Sequence, residues 1–190
     1  MHTYPLEAYM VHVRSGDWAS VAELMIDSAV ILARCGAEFA ICPDNTIHRA
    51  FDRVVEGSPI PWLNMVDTVA AAAKEQGFQK LGITGTKYLT TGPVYADALK
   101  KYQLEHAIPD EEVRDRIDRI IFTELVSGVF LEESRQYFNW VFEELKADGC
   151  DAVVLGCTEI PLLVDPSNTP LPTLDSTRLL ARAALERSLE

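Results

Sequence analysis

Apolar residues along the chain fall into two spacings, and each spacing predicts an element. Over residues 17–34, Val21, Leu24, Met25, Ala29 and Leu32 recur at helical intervals. Ser15 or Asp17 serves as the cap of that helix and Gly36 as its stop. Residues 37–42 read as a short buried strand halted by Pro43, and 45–55 resume a helical pattern. Pro59 and Pro61 bracket a loop before a short strand over 62–66, and 69–75 form an alanine-rich helix closed by Gly77. Beyond it the pattern predicts a strand over 81–84, a helix over 95–102, a strand over 105–108 and helices over 111–125 and 134–147. A buried strand over 151–155, a short strand over 171–174 and a helix over 177–189 complete the chain. Strands that alternate with helices imply the α/β class, with parallel sheets flanked by helices.

The pattern repeats. A glycine, an acidic residue, an apolar strand and a polar turn run from Gly36 to Asp44, and again over the same distance from Gly149 to Cys157. Asp44-Asn45-Thr46 therefore aligns with Cys157-Thr158-Glu159, and residues 62–68 resemble 171–177. Two pseudo-symmetric lobes follow: a first over 1–78 with about 176–190 returning to it, and a second over 79–175. The second unit opens on a strand at Leu81, and the same offset counted back from Asp44 falls before Met1. The first lobe is thus expected to lack its opening strand, which in a doubly wound sheet is central. Its core would then be partly open, either because the chain is a truncated reading of a longer one or because partner contacts fill the gap.

Composition narrows the function classes. Of 190 residues, 48 % are hydrophobic and 24 % charged, as in a soluble globular protein. The formal net charge of -12 repels nucleic acid, and no Lys/Arg cluster offsets it locally. An anionic substrate would need local donors, because the overall field does not attract it. No apolar run approaches the ~18 residues of a membrane span, and 1–10 lack the basic start and apolar stretch of a signal peptide. Cys35, Cys42, Cys150 and Cys157 form no Cys-x-x-Cys pair, which argues against a zinc site or a thioredoxin-type motif. Reduced thiols in a cytoplasm are the expectation. Cys35 and Cys150 read as small buried hydrophobes.

Three constellations carry candidate chemistry. In Leu155-Gly156-Cys157-Thr158-Glu159-Ile160-Pro161 a buried strand ends in Gly-Cys and polar groups follow at the turn. Open α/β sheets bind ligands at the carboxyl ends of their strands, where backbone N–H groups favour a thiolate. The alternative is a buried thiol beside a turn. Cys42-Pro43-Asp44-Asn45-Thr46-Ile47-His48 occupies the matching place in the first unit, with Asp44 as either a site acid or a helix cap. His48 reads equally as a supporting partner or a helix-surface residue. The run from Gly82 to Tyr88 is too poor in glycine for a dinucleotide fingerprint or a P-loop. It is either a small anion-binding turn, with Thr86 as a donor, or a plain strand-to-helix connection.

The pair Asn-Thr-x-His and Gly-Cys-Thr-Glu-Ile-Pro-Leu-Leu resembles the aspartate/glutamate racemase family. Gly82 to Lys87, Pro109-Asp110-Glu111, Ile120-Ile121, Glu124-Leu125, Gly128 and the closing 172–177 add to the likeness. The resemblance implies two lobes with the site between them, no pyridoxal phosphate or other cofactor, and 1,1-proton transfer at the α-carbon of a small amino acid. It implies Cys157 as one acid/base and Asp44, where most relatives carry Cys and some Thr, as its opposite. Asn45, Thr46, Thr86, Thr158 and Glu159 would bind the substrate, an amino acid or a dicarboxylate. By the same analogy the protein is a homodimer. Departures are the missing Gly-rich opening loop, and Ser127 where many aspartate-active relatives place Lys. Other readings are a one-cysteine decarboxylase or isomerase on the same scaffold, or a non-catalytic member that binds small acids.

Overall fold

The computed structural model describes residues 1–190. Helix α1 (Leu6–Ser15) and helix α2 (Trp18–Arg34) open the chain and pack on one another. Asp17 caps α2 by accepting from the Ser20 N–H over 3.1 Å. Strand β1 (Ala40–Ile41), a 3-10 turn (Thr46–Ala50), helix α3 (Phe51–Gly57), strand β2 (Trp62–Leu63) and helix α4 (Met65–Glu75) follow. The second lobe runs β3 (Lys80–Thr84), α5 (Lys87–Thr90), α6 (Val94–Lys101), β4 (Glu105–Ala107) and α7 (Glu111–Thr123). It continues through α8 (Glu132–Ala147), β5 (Ala152–Leu155), α9 (Ile160–Leu163) and β6 (Thr173–Asp175), and α10 (Ser176–Ser188) ends the chain on α4. No helix is long and apolar enough to cross a membrane.

All strand pairs are parallel, in a two-stranded sheet β1-β2 and a four-stranded sheet β4-β3-β5-β6. The period of two along a strand sorts side chains between the faces of the larger sheet. Val153 and Leu155 join the core under α7 and α8, with Ile117, Ile121, Phe138 and Phe142. Leu81, Ile83, Ala152 and Val154 join the core on the opposite face, under α4 and α6, with Val69, Ala73 and Leu99. A third cluster gathers Val13 of α1 with Val21, Met25, Ile47 and Val54.

Several elements differ from the sequence pattern. The α4 helix begins at Met65, inside the stretch that read as strand, because Asn64 caps it by accepting from the N–H groups of Val66 (2.8 Å) and Asp67 (3.1 Å). Asp175 caps α10 in the same way from the N–H of Arg178 (3.0 Å), so the two units correspond there as Asn64 to Asp175. The 45–55 helix splits into the 3-10 turn and α3. Helix α1 has no counterpart in the expected elements. Leu6, Tyr9, Met10 and Val13 repeat at helical spacing and turn one apolar face inward, with Met10 and Val13 buried. Met10 and Val13 thus pack on the smaller lobe, whose sheet has only the two strands β1 and β2, with Ile41, Trp62 and Leu63 half-buried. Cys150 is buried as expected, but Cys35 is exposed, because it falls at the end of α2 rather than on its inner face.

Candidate active site

The strands of the two lobes aim their carboxyl ends at one cavity of about 220 Å³. Every residue expected at the site lines it: Asp44, Asn45 and Thr46 after β1, Thr86 after β3, and Cys157, Thr158 and Glu159 after β5. Glycines permit the close approach of β3 and β5 there. The Gly156 N–H donates to the Thr84 carbonyl over 2.9 Å, and a Cβ on Gly156 would stand 2.5 Å from that oxygen. Gly85 has φ of 152°, and a Cβ there would come within 2.9 Å of the Gly156 carbonyl.

Cys157 is half-buried and donates through Sγ to Oε2 of Glu159 over 3.0 Å. The Thr158 hydroxyl donates to the same oxygen over 2.7 Å, so one carboxylate holds both neighbours. Burial, the Glu159 hydrogen bond, the Glu159 charge and then the Asp44 charge push the Cys157 thiol well above its usual range. Only a backbone N–H of Glu159 opposes them. The resting group is a thiol.

Asp44 both caps and lines. Its Oδ1 accepts from the Ile47 N–H over 3.1 Å, which starts the 3-10 turn. Burial raises its carboxyl, the N–H groups of Ile47 and Thr46 pull it down, and the Glu159 charge raises it again. Behind it, His48 is buried and stacks on Phe51. The Met65 N–H donates to Nε2 (3.1 Å), so the proton sits on Nδ1 and is given to the Asp44 carbonyl (2.6 Å). Burial pushes the ring down to about 4, so it stays neutral. His48 thus ties the Asp44 turn to the start of α4 rather than lying on a helix surface.

The lobes are joined through the same residues. Asn45 is buried, donates from Nδ2 to the Ser176 hydroxyl (2.9 Å) and accepts at Oδ1 from the Tyr95 hydroxyl (2.7 Å). Ser176 donates onward to the Leu155 carbonyl over 2.9 Å. Thr46 and Thr86, both lining the cavity, meet hydroxyl to hydroxyl at 3.2 Å. Cys42 is not among the lining residues and packs against the core of the smaller lobe, where burial and then the Asp44 charge push it up to about 12.

The profile of the Asp/Glu/hydantoin racemases matches residues 4–184. The chain belongs to that family. A crystal structure of a candidate Asp/Glu racemase from Yersinia pestis is similar with a TM-score of 0.90 at 32 % identity, covering 100 % of this chain and 83 % of the other. An aspartate racemase homologue from Pyrococcus horikoshii OT3 aligns with a TM-score of 0.86 at 28 % identity, over 100 % and 82 % of the two chains. The broad-specificity amino-acid racemase RacX of Bacillus subtilis is 21 % identical over 173 residues, 91 % of this chain and 74 % of its own. The α/β fold of racemase structures, with helices on parallel sheets, is thus that of this chain.

The lining residues that the motifs did not reveal are apolar or aromatic. Tyr9 and its α1 neighbours cover the cavity, and Ile121, Phe122 and Val126 close it from α7 and the turn beyond. The i, i+3, i+4, i+7 spacing from Leu6 to Val13 is the signal that would have found α1. On α7, Ile121 is marked only as part of Ile120-Ile121 in the family likeness, and Phe122 reads as an ordinary core face.

Proposed function

We propose that the chain is a cofactor-independent amino-acid racemase in which Asp44 and Cys157 act on opposite faces of the α-carbon. The observation that supports this reading is that Asp44, after β1, and Cys157, after β5, both line one cavity. In one direction the Asp44 carboxylate takes the α-proton, and the Cα–H electron pair passes into the substrate carboxylate. Thr46 and Thr86 share one hydroxyl–hydroxyl hydrogen bond, and the O–H of the pair left free by it is the donor for the developing charge. The Cys157 thiol then delivers its proton to the other face and becomes a thiolate. The opposite hand is processed in reverse, from thiolate and protonated Asp44.

The resting protonation supports an asymmetric site. Glu159 accepts from the thiol and opposes the thiolate, so free protein is poised for the hand whose α-hydrogen faces Asp44. The test is proton NMR in deuterium oxide with a panel of amino acids. The expected result is deuterium uptake at the α-carbon with inversion, and a loss of at least about 100-fold in Cys157→Ala. No uptake with any amino acid overturns the reading.

A second reading is favoured by the protonated state of Cys157. A thiol held ready as an acid suits a one-cysteine decarboxylase, in which loss of carbon dioxide from a substituted malonate leaves an enolate that Cys157 protonates. Carbon dioxide release from malonates that stops in Cys157→Ala, without amino-acid exchange, would select it.

A further inference from the structure

Resting on the racemase reading above, we infer that the amino acid taken by this cavity carries an uncharged, apolar side chain rather than a carboxylate. The charge around the cavity has one sign. Asp44 and Glu159 are its ionisable acids, and no Lys, Arg or His lines it. The neighbouring cations are engaged elsewhere. The guanidinium of Arg49 lies 4.7 Å above the Trp18 ring, and Lys87 pairs with Asp118 of α7, which also accepts from the Lys87 N–H. Nor does the net charge of -12 supply a compensating field.

The walls divide in two. Polar groups sit at the strand ends, where Asp44 and Glu159 can neutralise an α-ammonium and the free O–H of the Thr46–Thr86 pair can meet an α-carboxylate. The rest of the lining is mainly apolar, with Leu6, Met10 and Val13 from α1, Ile121 and Phe122 from α7 and Val126 at the turn after it, and its polar side-chain atoms are the uncharged hydroxyls of Tyr9 and Tyr88. Met10, Val13 and Ile121 are buried, while Leu6 and Val126 stand at the exposed rim. A substrate whose α-carbon lies between Asp44 and Cys157 sends its side chain toward that wall. An apolar side chain is desolvated there against matching surface. A second carboxylate would be desolvated with no cation to pair with and two acids nearby.

Shape does not decide the matter, since leucine and aspartate are close isosteres, as are methionine and glutamate. Charge does. Few, well-placed polar groups over an apolar wall are the usual make-up of a small-ligand site, and here they are spent on the amino and carboxyl groups common to all amino acids.

The test pairs calorimetric titration of the full chain with α-deuterium uptake, using leucine, methionine, aspartate, glutamate and lysine in both hands. Leucine and methionine are expected to bind at least tenfold more tightly than their acidic isosteres and to exchange. Val126→Lys, at the rim, is expected to shrink the leucine-to-aspartate ratio at least tenfold. Val129→Lys, exposed and outside the lining, is expected to leave it unchanged. Aspartate or glutamate bound as tightly as its isostere overturns the inference, and their exchange in the same samples would leave the racemase reading standing. Lysine bound more tightly than leucine also overturns the inference. Leucine bound preferentially without exchange overturns the racemase reading and leaves the ligand class standing. Binding of none overturns both.

Discussion

Cys157 donates its thiol proton to Oε2 of Glu159 over 3.0 Å, two residues along the same turn. The acceptor carboxylate and its charge both hold the thiol up. Glu159→Gln removes the charge and keeps an acceptor of the same shape. The pKa of Cys157 is expected to fall, by about one unit or more for loss of a close like charge. Peptide-resolved alkylation across a pH series reads this directly, because Cys157 is followed apart from the exposed Cys35. An unchanged midpoint would show that burial alone sets the thiol.

His48 makes stability depend on pH. Its ring is pushed down to about 4 in the folded chain, against an unfolded value near 6.5. As pH falls through 6.5 the unfolded chain takes up a proton that the folded chain refuses, so stability is lost between pH 6.5 and 4. The loss from pH 7 to 5 is about 2 kcal/mol for this group. Asp44, whose carboxyl is raised, pulls the other way, so the comparison is with His48→Asn. Urea unfolding is expected to show the wild-type advantage over the variant shrinking by about that amount at pH 5. Ring resonances of His48 that shift between pH 8 and 6 would contradict it.

Gly156 sets the distance between β5 and β3 at the site. In Gly156→Ala the new methyl group would stand 2.5 Å from the Thr84 carbonyl oxygen and 2.6 Å from Leu89 Cδ2. Leu89 can shift, but the backbone oxygen belongs to a paired strand. The expected cost is about 1–3 kcal/mol by overpacking, with Cys157 displaced as well. Urea denaturation gives the stability, and α-deuterium uptake gives the displacement. A variant as stable and as active as wild type would show that the ends of the strands separate freely.

The site was more legible in the sequence than the elements around it. The equal spacing of Gly36–Asp44 and Gly149–Cys157 needs only that two copies of one unit fold alike, and that alone brings Asp44 and Cys157 to equivalent strand ends. The α4 start was misplaced because apolar Trp62 to Val66 suits a strand, while the Asn64 cap overrides that preference after two residues. The apolar wall was hidden for a plainer reason. Ile121 and Phe122 look like any helix core face, and only tertiary packing decides that they border a cavity. Asn45 lines the cavity as its motif suggested, but its bonds to Tyr95 and Ser176, distant in sequence, were not legible there.

Asp44→Asn tests most directly the proposed pairing of Asp44 and Cys157 as opposed bases. The amide retains an oxygen for the Ile47 N–H, so the turn is preserved. The measurement is α-deuterium uptake and inversion, followed together in deuterium oxide for both hands of the best substrate. The prediction is that inversion falls at least about 100-fold, while the hand whose α-hydrogen faces Cys157 still exchanges with retention. Inversion at the wild-type rate in Asp44→Asn would contradict the two-base site.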